Sequence, residues 1–293
     1  MWKKETLGRK IFIVINGILL FFLTAVTLYP LLYVVFASFS NANALMAHDG
    51  ALLYPLKPTI AAYKATFRNS SILTGYRNTA FVVISGTTLN IVMTTAAAYF
   101  FSRKNVMHQK LLLRIVMFTM YFSGGLIPTY LWIKKLGLID NLLVLIIPGA
   151  ITTTNMIILR TAFYNVPESL EESARIDGAG HFTLLTKIIV PLIMPTLAGI
   201  ALYYSVGHWN SWFNASIYIK KKTLYPLQLV LREILISNDT SAMMDDVALS
   251  EQAYISETIK YAVIVVSTVP ILCLYPFLQR YFVQGIMVGA VKE

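Results

Sequence analysis

The residues of this chain that could do acid–base, metal or nucleophilic chemistry are few and scattered. His48, His108, His181 and His208 lie far apart, and no H-E-x-x-H joins a pair of them to an acid. No acid falls in the core of an apolar run, so a carboxylate pair for hydrolysis is missing as well. The single cysteine, Cys273, has no disulfide partner and no metal-ligand cluster around it, which predicts a small apolar residue, buried or facing lipid. There is no G-x-x-x-x-G-K-[ST], hence no loop to cradle the phosphates of a nucleotide. Two stretches do concentrate polar groups. "EESARIDGAG", 171–180, packs three acids and Arg175 into a mostly apolar chain. "ALYYSVGHWNSWFNASIY", 201–218, interleaves aromatic rings with amides, a histidine and hydroxyls.

The elements that carry these stretches follow from composition. Of 293 residues, 57% are hydrophobic and only 13% charged, against about 25% charged in soluble domains. The apolar residues come in runs long enough to cross a bilayer, which takes roughly 17 to 25 residues. The expected fold class is an all-α polytopic membrane protein. Six candidate transmembrane helices run over about Ile11–Ser38, Thr79–Phe101, Leu111–Ile133, Leu142–Phe163, Ile188–Ile219 and Ile259–Phe282. The small residues of "TTAAAYFF" in the second permit close helix packing. Although "MWKKETLGRK" with the run behind it resembles a signal peptide, the run exceeds the 7 to 15 residues of a signal core, so an uncleaved first helix is expected.

The net charge of +10 is spread along the flanks of the apolar runs. A nucleic-acid face would gather it on one element, so no nucleic-acid partner is expected. Lys3, Lys4, Arg9 and Lys10 precede the first span, and a second basic cluster follows the second span, which favours an inside N-terminus. Lys220, Lys221 and Lys222 then form a basic knot on the outside, against that trend. An even number of spans places both ends, and the loop of about 164–187, in the cytoplasm. The domain expectation is a cytoplasmic N-terminus (1–10), one six-helix transmembrane domain (11–283) and a cytoplasmic tail (284–293). The loops of about 40–76 and 220–256 fall outside. The latter includes "SNDTSAMMDDVALSEQ", expected to be part helix and part irregular.

"NVPESLEESARIDGAG" has the punctuation of a short helix of about ten residues. Asn165 can cap it, Pro167 suits the first turn, acids fill the N-terminal half and Gly178 fits the stop. Glu171 and Arg175 stand at i,i+4, and Val166, Leu170 and Ala174 share an apolar side. Such a helix is too short and too charged to enter the bilayer. On helix signals alone it could merely link two spans.

The order Glu172-Ser173-Ala174, Asp177-Gly178-Ala179, then Ile189 and Pro191 resembles the "EAA…DGA…I.LP" loop of binding-protein-dependent ABC importer permeases. Ser173 stands where the family usually has alanine. "KKLGLIDN" (134–141), "TAFYNVPESLEESARIDGAG" and "LQRYFVQGIMVGAVKE" are similar to the carbohydrate-importer branch, in particular its maltose-permease-G-like subunit. Within that branch, "YYSVGHWNSWFNASIYI" most resembles permeases for oligo- and polysaccharides, including alginate.

The resemblance implies that the short helix between helices 4 and 5 is a cytoplasmic coupling helix, with Glu172, Ala174, Asp177 and Gly178 coupling it to a cytoplasmic ABC ATPase dimer. ATP and magnesium would then sit on those partner subunits, with no cofactor in this chain and no enzyme activity of its own. It also implies a second permease subunit, with the G-like character favouring a different chain, an extracytoplasmic solute-binding protein, a carbohydrate substrate and a lipid surround in the bacterial cytoplasmic (inner) membrane. In related subunits the tail inserts between the ATPase subunits; a frayed terminus is the alternative for 284–293.

The second polar stretch offers a translocation path. Tyr204, His208, Trp209, Asn210, Trp212, Asn214 and Tyr218 are the candidate pathway residues, with Tyr203, Gly207 and Ser211 beside them. Rings pack on the apolar faces of a sugar and amides hydrogen-bond its hydroxyls, whereas a lipid-facing helix has no use for such groups. The alternative is an interfacial aromatic belt with asparagines as glue between helices. In the third span, Gly124, Gly125 and Pro128 predict a broken helix, which makes Tyr121, Ser123 and Tyr130 weaker pathway candidates. A passive channel and an intramembrane enzyme are the rival functions; the former leaves the charged helix unexplained, the latter lacks its residues.

Overall fold

The computed structural model describes residues 6–103, 106–237 and 258–273, and among these residues the regular structure is entirely helical. The described chain divides into two compact units, 1–69 with 233–268, and 70–232 with the residues from Val269 on.

In the first unit α1 (Leu7–Ser38) is 32 residues of nearly unbroken apolar sequence with Pro30 inside it. At about 1.5 Å per residue it exceeds the roughly 30 Å of a hydrocarbon core. Its few polar side chains are absorbed locally, Thr24 and Thr27 donating to the carbonyls of Leu20 and Leu23. None of its most apolar window is buried. The polar segment after it is more structured than a loop. Asn41 caps α2 (Ala42–Met46) by accepting from the amides of Asn43 and Ala44, and α3 covers Ala61–Arg68. Ala37, Leu45 and Leu52 form a small core with Tyr33, Phe36 and Tyr261, the last from α13 (Thr258–Cys273). The sixth expected span is thus helical from Thr258 to Cys273. Its remainder, the tail 284–293 and most of the 220–256 loop lie outside the described residues.

The second unit is organised around α4 (Ser70–Ser102), 33 residues long and beginning well before the expected Thr79. Its buried positions include Gly75, Asn78, Gly86, Asn90, Thr94 and Ala98. That i, i+4 stripe of small and polar residues lets α7 (Thr153–Tyr164) and α10 (Met194–Trp209) lie close against it. The third expected span is broken as its glycines predict, into α5 (Gln109–Phe118) and α6 (Leu126–Lys135), with Gly125 at the join.

Two expectations of continuous helix are corrected. Over 142–163, only a 3-10 turn (Leu142–Leu145) precedes α7; Pro148 lacks a donor and Gly149 is a poor helix former, so the backbone stays irregular to Thr152. Over 188–219, α9 (His181–Leu192) is bent by 86° from α10. Pro191 and Pro195 bracket Ile193, and α9 widens to a π-helix over Leu184–Ile189, which absorbs the clash of a proline ring with the preceding turn. A second break at Asn210 and Ser211 separates α10 from α11 (Trp212–Tyr218). Among the described residues, two helices are long and apolar enough to cross a membrane, or three if the bent pair forms one span.

Candidate functional site

The charged stretch folds as α8 (Glu168–Ile176), nine residues. Its start differs from expectation. Asn165 is occupied as the C-cap of α7, so Pro167 takes the N-cap position without a side-chain cap bond. Glu168 and Glu171 sit in the first turn, where the helix dipole favours acids. Gly178 has φ +81°, and the amides of Gly178 and Ala179 donate to the carbonyls of Arg175 and Ala174. This is a glycine-closed helix end that a side chain at 178 would strain.

Of the expected apolar side, Ala174 is buried and Val166 packs against the same core, whereas Leu170 is exposed and Glu171 is buried with Ala174. Ala174 enters a core with Ala98, Phe101, Phe163 and Leu184. Glu171 accepts a hydrogen bond from the Arg103 guanidinium just past the end of α4, instead of from Arg175 at i+4. That partner accounts for the burial of Glu171. Arg103 is itself fixed: it lies 4.4 Å from the centroid of the Tyr99 ring, and its Nε donates to Ser102 Oγ at 3.1 Å. The Tyr99 hydroxyl lies 3.3 Å from His181 Nδ1. Arg160 and Gln109 donate to the Phe101 carbonyl, so the open end of α4 is satisfied by side chains. A cleft of about 820 Å³ runs along α8, lined by Arg103, Tyr164, Glu168, Glu171, Glu172 and Arg175 among others. Of the expected coupling residues, Glu172, Asp177 and Gly178 are exposed and Ala174 is buried. Ile176 is 86% and Phe182 79% exposed beside them, a pair of large apolar side chains on an otherwise charged surface.

The expected pathway residues divide. Tyr204, His208, Trp209 and Tyr218 are buried, whereas Asn210, Trp212 and Asn214 are exposed, as are Tyr203 and Gly207. The buried ones complete the irregular backbone nearby. The Tyr204 hydroxyl accepts from the Thr152 amide at 3.0 Å and lies 2.8 Å from Thr94 Oγ1. His208 Nε2 donates to Asn90 Oδ1 at 2.6 Å, and Asn90 Nδ2 donates to the Gly149 carbonyl at 2.6 Å. Both freed groups belong to the broken segment before α7, where unpaired backbone inside a bilayer would be costly. Gly86 makes room: a Cβ there would stand 2.5 Å from His208 Nε2. Trp209 packs edge-on to Tyr76, and Tyr218 stacks on Tyr130 with centroids 6.0 Å apart. Tyr121 and Ser123 are exposed.

On the exposed side, Asn210 Nδ2 donates to the Val206 carbonyl at 3.0 Å, and the guanidinium of Arg232, in α12 (Leu227–Ser237), lies 4.6 Å from the centroid of the Trp212 ring. Ser211 Oγ, at the break, has no hydrogen-bond partner among the described residues. The basic knot is held by its backbone. Asp140, at φ +57°, accepts from the amides of Lys220 at 2.5 Å and Lys221 at 3.0 Å. Those two N–H donors hold its carboxyl below the ordinary carboxylate range. The "LGLIDN" run is thereby a fastening of the α6 end to the segment after α11.

Sequence reasoning missed Arg103, Asn90, Asp140 and Arg232. An amide in the middle of "GTTLNIVMTT" was a readable signal, since such a group in a span demands a partner. Arg103 and Arg232 looked like ordinary basic flanks, and their partners are distant in sequence.

The chain is similar to known proteins over nearly its whole length. The chain matches, over residues 6–288, the family described as binding-protein-dependent transport system inner membrane component. It is 39% identical over 288 residues to protein LplC of Bacillus subtilis (strain 168), covering 98% of this chain and 97% of the relative. It is 39% identical over 282 residues to the polygalacturonan/rhamnogalacturonan transport system permease protein YtcP of the same organism, covering 95% and 96%. Its fold superposes with TM-score 0.87 and 29% identity on a chain in the crystal structure of a bacterial ABC transporter involved in the import of the acidic polysaccharide alginate, covering 95% of this chain and 99% of that one. The chain therefore belongs to the binding-protein-dependent transport system inner membrane component family.

Proposed function

We propose that this chain is a permease subunit of an ATP-driven carbohydrate importer, with α8 as the helix that receives the motion of a separate ATPase dimer. One observation carries the proposal. A nine-residue charged helix is fastened by one face and closed by Gly178, while Glu172, Asp177 and Ile176 are left exposed. Without a phosphate loop in the chain, energy has to arrive through such a surface. ATP and magnesium belong to the ATPase subunits on this reading. A second permease and a solute-binding protein complete the assembly. Six spans with both termini in the cytoplasm remain the proposed topology, and the near full-length match to the alginate importer chain supports it.

The proposed cargo is an oligo- or polysaccharide, of acidic class. The relative named for polygalacturonan/rhamnogalacturonan transport and the importer of an acidic polysaccharide both support that choice. The pathway face is proposed at Asn210, Trp212 and Asn214, which are exposed, and Tyr204, His208, Trp209 and Tyr218 stand behind it as its support. Alternating access moves the cargo around that face.

The test is Glu172→Lys in the assembled transporter. Uptake should be abolished and the ATPase response to the binding protein lowered, with the amount of chain in the membrane unchanged. Full transport by that variant would sink the coupling assignment.

A further inference from the structure

We infer that Arg103 and Glu171 are positioning residues that fasten the coupling helix to the end of α4, so that a displacement of α8 is delivered to α4 as well as to α10. The inference rests on the coupling role proposed for α8. The covalent route out of α8 is soft. It passes Gly178, in the left-handed region, then Gly180, a π-widened segment and an 86° bend before α10 begins. A displacement sent along such a path would be partly lost in the hinge. The second route is short and stiff. The Glu171 and Arg103 side chains are only 11% and 17% exposed and contact each other directly. Arg103 is held in turn by the Tyr99 ring and by Ser102 Oγ, both on the last turn of α4.

Burial by itself does not require charge here. A buried ion pair contributes little net stability over well-packed apolar residues of the same volume, and the neighbouring contact of Ala174 is apolar already. What the pair adds is a directional link between one position on α8 and one on α4. A nine-residue helix is also too short to be stable unless its neighbours fix it. Since α4 packs on both α7 and α10, a push received there reaches the packed core of the unit directly.

The experiment uses the reconstituted complex and reads uptake per ATP hydrolysed, with labelled alginate and galacturonate oligosaccharides as probes, scored with whichever the unmutated complex imports. Arg103→Gln with Glu171→Gln keeps shape and removes the charges. This double variant should assemble and hydrolyse ATP, with uptake per ATP lowered about tenfold, the scale of a typical coupling free energy. The exchanged pair, Arg103→Glu with Glu171→Arg, should recover most of that ratio, as interacting partners do in a double-mutant cycle. An unchanged ratio in the neutral pair overturns the inference. So does an exchanged pair no better than the neutral one, or loss of assembly in both, which would make the contact a folding contact only. Glu172→Lys in the same assay separates the two ideas: if it couples normally, the role of α8 itself fails, whereas if it alone uncouples, only the clasp fails.

Discussion

The surroundings of α8 and the middle of α4 both tie distant backbone together, but by opposite chemistry. At α8 the link is an ion pair between Glu171 and Arg103 with a ring stacked on the guanidinium. Halfway along α4 the links are neutral, an amide, an imidazole and a phenol that complete the broken segment before α7. The difference follows from the solvent each place has available. Near the end of a span, charges keep part of their hydration. In the middle, only neutral groups can satisfy freed carbonyls and amides without a large desolvation cost.

Breaking each link should show that contrast in decreasing size. Glu171→Ala leaves the largely buried Arg103 without its counter-charge, and should lower stability by about 3 kcal/mol, read as thermal unfolding of the purified chain in detergent. Asn90→Leu strands both the Gly149 carbonyl and His208, and should cost about 2 kcal/mol in the same assay. If Asn90→Leu instead proves neutral, the α4 knot is not what holds the broken segment. Tyr204→Phe removes one hydroxyl between Thr94 and the Thr152 amide, with an expected loss of about 1 kcal/mol, in line with hydrogen bonds within membranes.

Asp140 sharpens the comparison from the other side, because its carboxylate is charged and held by backbone amides alone, in a half-buried turn. Its folded-state pKa is lowered by the Lys220 and Lys221 amides. Its contribution is therefore present above the unfolded carboxylate value of about 3.9 and lost as pH falls through the folded value. The expected result is a small destabilisation by Asp140→Asn at neutral pH that vanishes on acidification. A pH-independent difference between the two proteins would show that the carboxylate charge plays no part.

Much of α8 was legible in the sequence. Its acids, Arg175 and Gly178 are local signals, and the helix runs where they place it, with Gly178 in the left-handed conformation. The start was misread because Asn165 serves the end of α7 instead, a competition that only the length of α7 reveals. The run 201–218 was legible as unusual, yet its division into buried and exposed residues was not. An ideal helix drawn through Tyr203 to Tyr218 ignores the break at Asn210 and Ser211 and the partners on α4. Tyr218, expected to line the pathway, is instead buried in a stack with Tyr130.

The sequence by itself determined an apolar, helical, membrane-spanning chain, the place of its charged helix and the family it belongs to, because hydropathy, caps and motif spacing are properties of consecutive residues. Tertiary structure alone decided that Glu171 turns inward to Arg103, that Asn90 and Tyr204 complete the backbone around Pro148, and which side of the fifth segment stays open. Those outcomes depend on pairs dozens of residues apart, and on the demand that every freed backbone group find a partner where water is scarce.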